Sequence, residues 1–85
     1  MKAPEEVVMT GGELREMRKT FGLSAAAMGR ALGYAGSNAN IAAHLRQLER
    51  GARPIPPAVG RLAEMFWREG IPPTKLDPRR HASLI

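Results

Sequence analysis

The sequence predicts an all-α domain of four main helices, and three observations predict it. Apolar residues recur at helical spacing in four separate segments. Capping residues stand just before the segments and glycines just after them. No stretch alternates apolar and polar residues as a half-buried strand does.

The first helix begins at Thr10. Thr10 and Glu13 have the spacing of a capping box, and Met9 and Leu14 flank it as a hydrophobic staple. Gly11 and Gly12 weaken the first turn, at about 1 kcal/mol each relative to Ala. Leu14, Met17 and Phe21 form one buried stripe, while Arg15, Glu16 and Lys19 fall on solvent. Gly22 ends the helix in a left-handed conformation. Ser24 caps the second helix, whose buried face is Met28, Ala31 and Leu32. Gly29 lies inside it, where glycine is costly, so close approach of another helix is its expected reason; neutral drift is the alternative. Gly33 ends this helix, and Tyr34–Ser37 is the turn.

Ser37 caps the third helix, about Asn38 to Arg50, with Asn40 three residues on. Ile41, Leu45 and Leu48 form its apolar stripe. At about 100° per residue the opposite face carries Ala39, Ala43, Arg46 and Arg50. Asn40 and Gln47 sit on one shoulder, and His44 lies nearer the buried edge. This face holds small residues, amides and guanidinium groups, and no acid. Small residues permit close approach to a surface, and amides and guanidinium groups read base edges. Gly51 closes the helix. A proline-stiffened loop, Ala52–Pro56, leads to the fourth helix, which begins near Pro57. Val59, Leu62, Ala63 and Phe66 make its core face, with Met65 and Trp67 off the stripe. Trp67 reads equally as a partner contact and as the edge of a small core. Gly70 and Pro72-Pro73 end the helix. The expected domain therefore spans 10–70, between an arm at 1–9 and a tail at 71–85 with a basic triplet, Arg79-Arg80-His81.

Eighty-five residues leave room for one core, and dimerisation is a usual way for so short a chain to add buried area. Cysteine is absent, which excludes disulfides, thiol nucleophiles and cysteine-based zinc sites. No apolar run reaches the length of a membrane span, and Met1–Met9 lacks a signal-peptide core, so a soluble cytoplasmic protein is expected. The formal charge is +5, with ten of the thirteen basic residues Arg, and the pI is about 10.8. Residues 1–45 carry five basic and four acidic side chains, and residues 46–85 carry eight and four. Such a balance suits a polyanionic partner without specifying a fold. With two histidines and one aspartate, the chain has no nucleophile–base–acid arrangement, zinc-protease motif or phosphate-binding loop. No catalytic, metal or cofactor residues are assigned, and the protein is not expected to be an enzyme. Four aromatics, two of them on buried stripes, offer no stacking platform for RNA.

From about Thr10 to Gly70 the chain resembles the lambda-repressor-like helix-turn-helix domains of the Cro/C1 (XRE) type. Leu14-Arg15-Glu16-Met17-Arg18 before Gly22-Leu23-Ser24, then Ala31-Leu32-Gly33, Leu48-Glu49-Arg50-Gly51 and Arg53-Pro54 carry the resemblance. Counted from Ala25, Gly29 is the fifth residue and Gly33 the ninth, the two positions where that family takes small residues. The resemblance implies a compact four- to five-helix fold whose third helix enters the DNA major groove. It implies a sequence-specific transcriptional regulator of double-stranded DNA, a small repressor or autorepressor working as a homodimer. Its operator would be palindromic, with half-sites about 34 Å apart. Base readers would be Asn38, Asn40, Ala43, His44, Arg46 and Gln47. Backbone contacts would come from Arg15, Ser24, Arg30, Ser37, Arg50 and Arg53. Arg18 and Glu49 match positions that form a buried ion pair; separate solvation of the two is the alternative.

The chain departs from that pattern twice. About six extra residues separate Leu32-Gly33 from Leu48-Glu49, in the turn, the third helix or both. Ala25 stands where the family often has Gln, whose phosphate or side-chain contact another residue, such as Arg30, would have to make. A second reading stands beside the first: an antitoxin-like module whose tail and Trp67 hold a toxin-like protein partner, with or without DNA autoregulation.

Overall fold

The computed structural model describes residues 9–76. The arm up to residue 8 and the Arg79-Arg80-His81 triplet lie outside the described residues. Five helices and no strand occur among the described residues: α1 Gly11–Thr20, α2 Ala25–Ala31, α3 Asn38–Arg50, α4 Pro57–Glu69 and α5 Pro73–Leu76. No helix is long and apolar enough to cross a membrane.

Local chemistry sets the helix ends. Thr10 Oγ1 accepts the Glu13 N–H at 3.1 Å, and Glu13 Oε1 accepts the Thr10 N–H at 2.9 Å, completing the capping box. Ser24 and Ser37 cap α2 and α3 through the Ala27 and Asn40 N–H groups, each at 3.1 Å. Gly22, at φ +70°, ends α1: its own N–H reaches the Lys19 carbonyl and the Leu23 N–H the Arg18 carbonyl. Gly51, at φ +80°, ends α3 in the same way, with the Ala52 N–H on the Gln47 carbonyl.

The core joins Leu14 and Met17 of α1, Ala25, Met28 and Ala31 of α2, Leu45 and Leu48 of α3, and Ala63 and Phe66 of α4. Helix α3 packs on both α1 and α2, so two elements fix its orientation. The α2–α3 crossing is close at Gly29, where an added Cβ would overlap Cγ2 of Ile41. That is the close approach expected of Gly29.

The structure departs from the sequence reading in five places. Gly11 does more than weaken a turn: a Cβ there would collide with the Leu48 carbonyl oxygen and lie 2.5 Å from that of Glu49. It is where α1 crosses the end of α3. Phe21 is only half-buried, because its ring meets Trp67 edge-on, with centroids 6.0 Å apart, at the rim of the core. Ala25, where the resemblance expects a Gln that contacts phosphate or a neighbouring side chain, is 3% exposed and packs in the core. Met9, assigned to the arm, is also buried, so the folded body includes it. At the other end the body continues past Gly70, since α5 packs against α2 and Ile71 packs on the core.

Residues 32–37 link α2 to α3, and α3 runs for 13 residues.

Candidate nucleic-acid interface

Burial of Ile41, Leu45 and Leu48 turns the opposite face of α3 outward. Ala39, Asn40, Ala43, Arg46 and Arg50 are exposed on it. The one acid of the helix, Glu49, is 8% exposed and belongs to the interior. The outward face of α3 therefore carries two guanidinium groups and no negative charge.

Glu49 is held by Arg18. Arg18 Nε–H donates to Glu49 Oε2 at 2.6 Å and Nη2 to Oε1 at 3.2 Å, a bidentate pair between α1 and the end of α3. The third arm, Nη1, donates to the Leu23 carbonyl in the α1–α2 turn at 3.2 Å. Hydrogen bonding to the Glu49 carboxylate raises the Arg18 guanidinium pKa above its ordinary value, outweighing the opposing effect of desolvation.

An open groove of about 500 Å³ lies between α1 and α3, lined by Gly12, Arg15, Arg18, Arg46, Glu49 and Arg50. It brings Arg15 of α1 to the arginines of α3, a proximity that no spacing in the sequence encodes. With Arg18 paired to Glu49, the other three guanidinium groups, those of Arg15, Arg46 and Arg50, have no carboxylate partner among the described residues and focus a positive potential in the groove.

The remaining candidates are more constrained. Asn38 is exposed, but its Oδ1 accepts from Arg30 Nη2 at 2.7 Å and Nε at 3.2 Å. Arg30 Nη2 also donates to the Gly36 carbonyl at 3.0 Å, tying α2, the turn and the start of α3 together. Gln47 is half-buried, and its Oε1 accepts from Arg53 Nε at 2.6 Å. The hydroxyl oxygens of Ser24 and Ser37 serve as caps, which leaves each hydroxyl proton free to be donated. Among the described residues no three His, Cys, Asp or Glu side chains gather where they could hold a metal ion.

Half-buried His44 lies against Tyr34, with ring centroids 4.6 Å apart and planes at 57°. Sequence reasoning left Tyr34 in the turn without a role. Its hydroxyl is buried and has no hydrogen-bond partner among the described residues, and burial pushes its pKa up. An unsatisfied buried polar group costs about 1–3 kcal/mol, so Tyr34→Phe is expected to raise stability by about 1 kcal/mol. An unfolded tyrosine ionises near its ordinary value of about 10, while the folded one keeps its proton to higher pH. Wild-type stability therefore falls as pH rises above about 10, and this component is absent from the Phe variant. Urea titrations at pH 8 and pH 11 check both parts; a less stable variant at pH 8 would show that the hydroxyl is satisfied.

Comparison of the chain with protein-family models, with curated proteins and with solved structures returns no match in any of the three.

Proposed function

We propose that this chain is a sequence-specific DNA-binding transcriptional regulator with a lambda-repressor-like helix-turn-helix fold, α2 and α3 forming the motif. The exposed face of α3 carries the proposal: Ala39, Asn40, Ala43, Arg46 and Arg50 without an acid, with Arg15 alongside across the groove. Alanines let a helix sit close to the groove floor, arginine reads guanine, and amides read base edges. On this reading Asn38, Asn40, Ala43, His44, Arg46 and Gln47 face the bases. Arg15, Ser24, Arg30, Ser37, Arg50 and Arg53 position the sugar–phosphate backbone.

A homodimer on a palindromic operator is the natural assembly, with repression by occlusion of a promoter. The apolar side chains at the surface, Met65 at 39%, Trp67 at 46% and Leu76 at 38% exposed, are where a second copy would bury area. The same Trp67 supports the antitoxin-like reading, in which a protein partner covers it. Trp67→Ser separates the two: loss of the dimer in sedimentation favours self-association, and an unchanged mass favours a different partner.

The function itself is tested by selecting binding sites from random duplex DNA and measuring affinity against salt. A single enriched motif is expected, with a log–log slope near −5 for about six neutralised phosphates. Arg46→Ala is expected to relax specificity at one base pair, by about 1–3 kcal/mol, and Arg50→Ala to weaken all sequences alike. Identical, sequence-independent losses for the two variants would remove Arg46 from the reading face.

A further inference from the structure

Asn38 and Gln47 are the two amides whose side-chain oxygens are held by arginines from outside α3. Arg30, on α2, gives two N–H groups to Asn38 Oδ1. Arg53, in the loop after Gly51, gives its Nε–H to Gln47 Oε1. Both arginines are anchored by the backbone nearby. Arg30 also bonds the Gly36 carbonyl, and the Arg53 N–H bonds the Gln47 carbonyl at 3.3 Å.

A guanidinium has five donors and no acceptor. Whatever faces it must accept, so the amide oxygen is the only end that can. The reversed amide would set N–H against N–H. Chemistry therefore fixes the orientation of both side chains: each turns its NH2 group, two donors, away from its arginine. Neither NH2 group hydrogen-bonds another described residue. Exposed Asn40 is different, because only its backbone N–H is engaged, by Ser37, and its side-chain oxygen and nitrogen both remain available.

We infer that Arg30 is a positioning residue that determines specificity by making Asn38 a donor-only reader, both lone pairs of its oxygen being taken, and that Arg53 biases Gln47 the same way by taking one of its two; this rests on the DNA-binding reading above. In the major groove guanine offers two acceptors, thymine one, adenine an acceptor beside a donor, and cytosine only a donor. A donor-only amide selects guanine, accepts thymine and rejects cytosine. It also cannot make the two-bond contact by which Asn or Gln reads adenine, since that contact needs the amide oxygen. Adenine recognition by an α3 amide is left to Asn40.

The test is selection from random duplex DNA with the wild-type chain, Arg30→Lys and Arg30→Glu. Lysine is also donor-only, so Arg30→Lys keeps the wild-type bases. Glutamate is acceptor-only, so Asn38 turns its NH2 inward and its oxygen out. At one base pair per half-site the preference then moves from guanine or thymine to cytosine or adenine, by roughly tenfold or more. Loss of the Arg30 charge lowers affinity for all sequences equally and cannot imitate this exchange. An unchanged motif with Arg30→Glu overturns the inference and leaves DNA binding standing. A wild-type chain that enriches no motif overturns the DNA-binding reading, and the inference with it. Where Arg30→Glu fails to fold by circular dichroism, Asn38→Asp asks the same question. It keeps the Arg30 contact but has no donor, so the guanine or thymine preference must vanish, and its persistence overturns the inference. Arg53→Glu repeats the test independently at Gln47.

Discussion

Gly11→Ala is expected to destabilise the protein by about 2 kcal/mol, while Gly12→Ala stabilises it by about 0.5 kcal/mol. Both glycines open α1, and neither has a positive φ, so alanine fits either backbone. The difference is space. Nothing lies within 4 Å of a Cβ at Gly12, whereas a Cβ at Gly11 would overlap the carbonyl groups of Leu48 and Glu49. Those oxygens belong to helix backbone and cannot rotate away, so α1 must move off α3. Forcing an extra carbon into filled space costs about 1–3 kcal/mol, more than the gain in helix propensity, at most about 1 kcal/mol. Urea unfolding of the two variants measures the contrast. A Gly11→Ala protein as stable as wild type would show that the α1–α3 crossing has room to spare.

The second large effect is expected at the buried ion pair. Arg18→Ala should lose about 3 kcal/mol, because it strands the Glu49 carboxylate without its counter-charge. The Glu49 side chain is 4% exposed and that of Arg18 18%, so water reaches the carboxylate poorly. A typical domain is stable by only about 5–15 kcal/mol, which makes this loss a large fraction of the total. The double variant Arg18→Met/Glu49→Leu should be more stable than either single change, since apolar groups of similar volume escape the desolvation cost. A double variant less stable than both singles would show that a stranded charge is not the source of the loss. Arg18 also bonds the Leu23 carbonyl, so it joins α1, the α1–α2 turn and the end of α3. On the proposed function, that joint sets the angle at which α3 is presented.

Legibility in the sequence followed the range of the interaction. The capping box at Thr10 and Glu13, the caps at Ser24 and Ser37, and the glycine stops at Gly22 and Gly51 involve partners a few residues apart. Steric and hydrogen-bonding rules act at that distance whatever the rest of the chain does. The buried stripes were legible too, because helical periodicity alone places Leu14 with Met17, and Ile41 with Leu45 and Leu48, on one side. Trp67 was left open, and the structure divides it: one ring edge on Phe21, nearly half its surface in solvent. The composition of the α3 face was readable for the same reason as its stripe, since one fixes the other.

The sequence by itself thus determined eight helix ends, both ends of each of the four main helices, together with most of the core and which side of α3 faces outward. Only the tertiary structure decided what surrounds that side. It brought Arg15 to Arg46 and Arg50, placed Gly11 under the carbonyl groups of Leu48 and Glu49, and left the Tyr34 hydroxyl without a partner among the described residues. It also put Arg30 on Asn38 and Arg53 on Gln47. Most of these partners lie on different helices, and all of the contacts depend on crossing geometry, loop path and rotamer choice. Periodicity constrains which way a residue faces; it carries no information about what a second element places there.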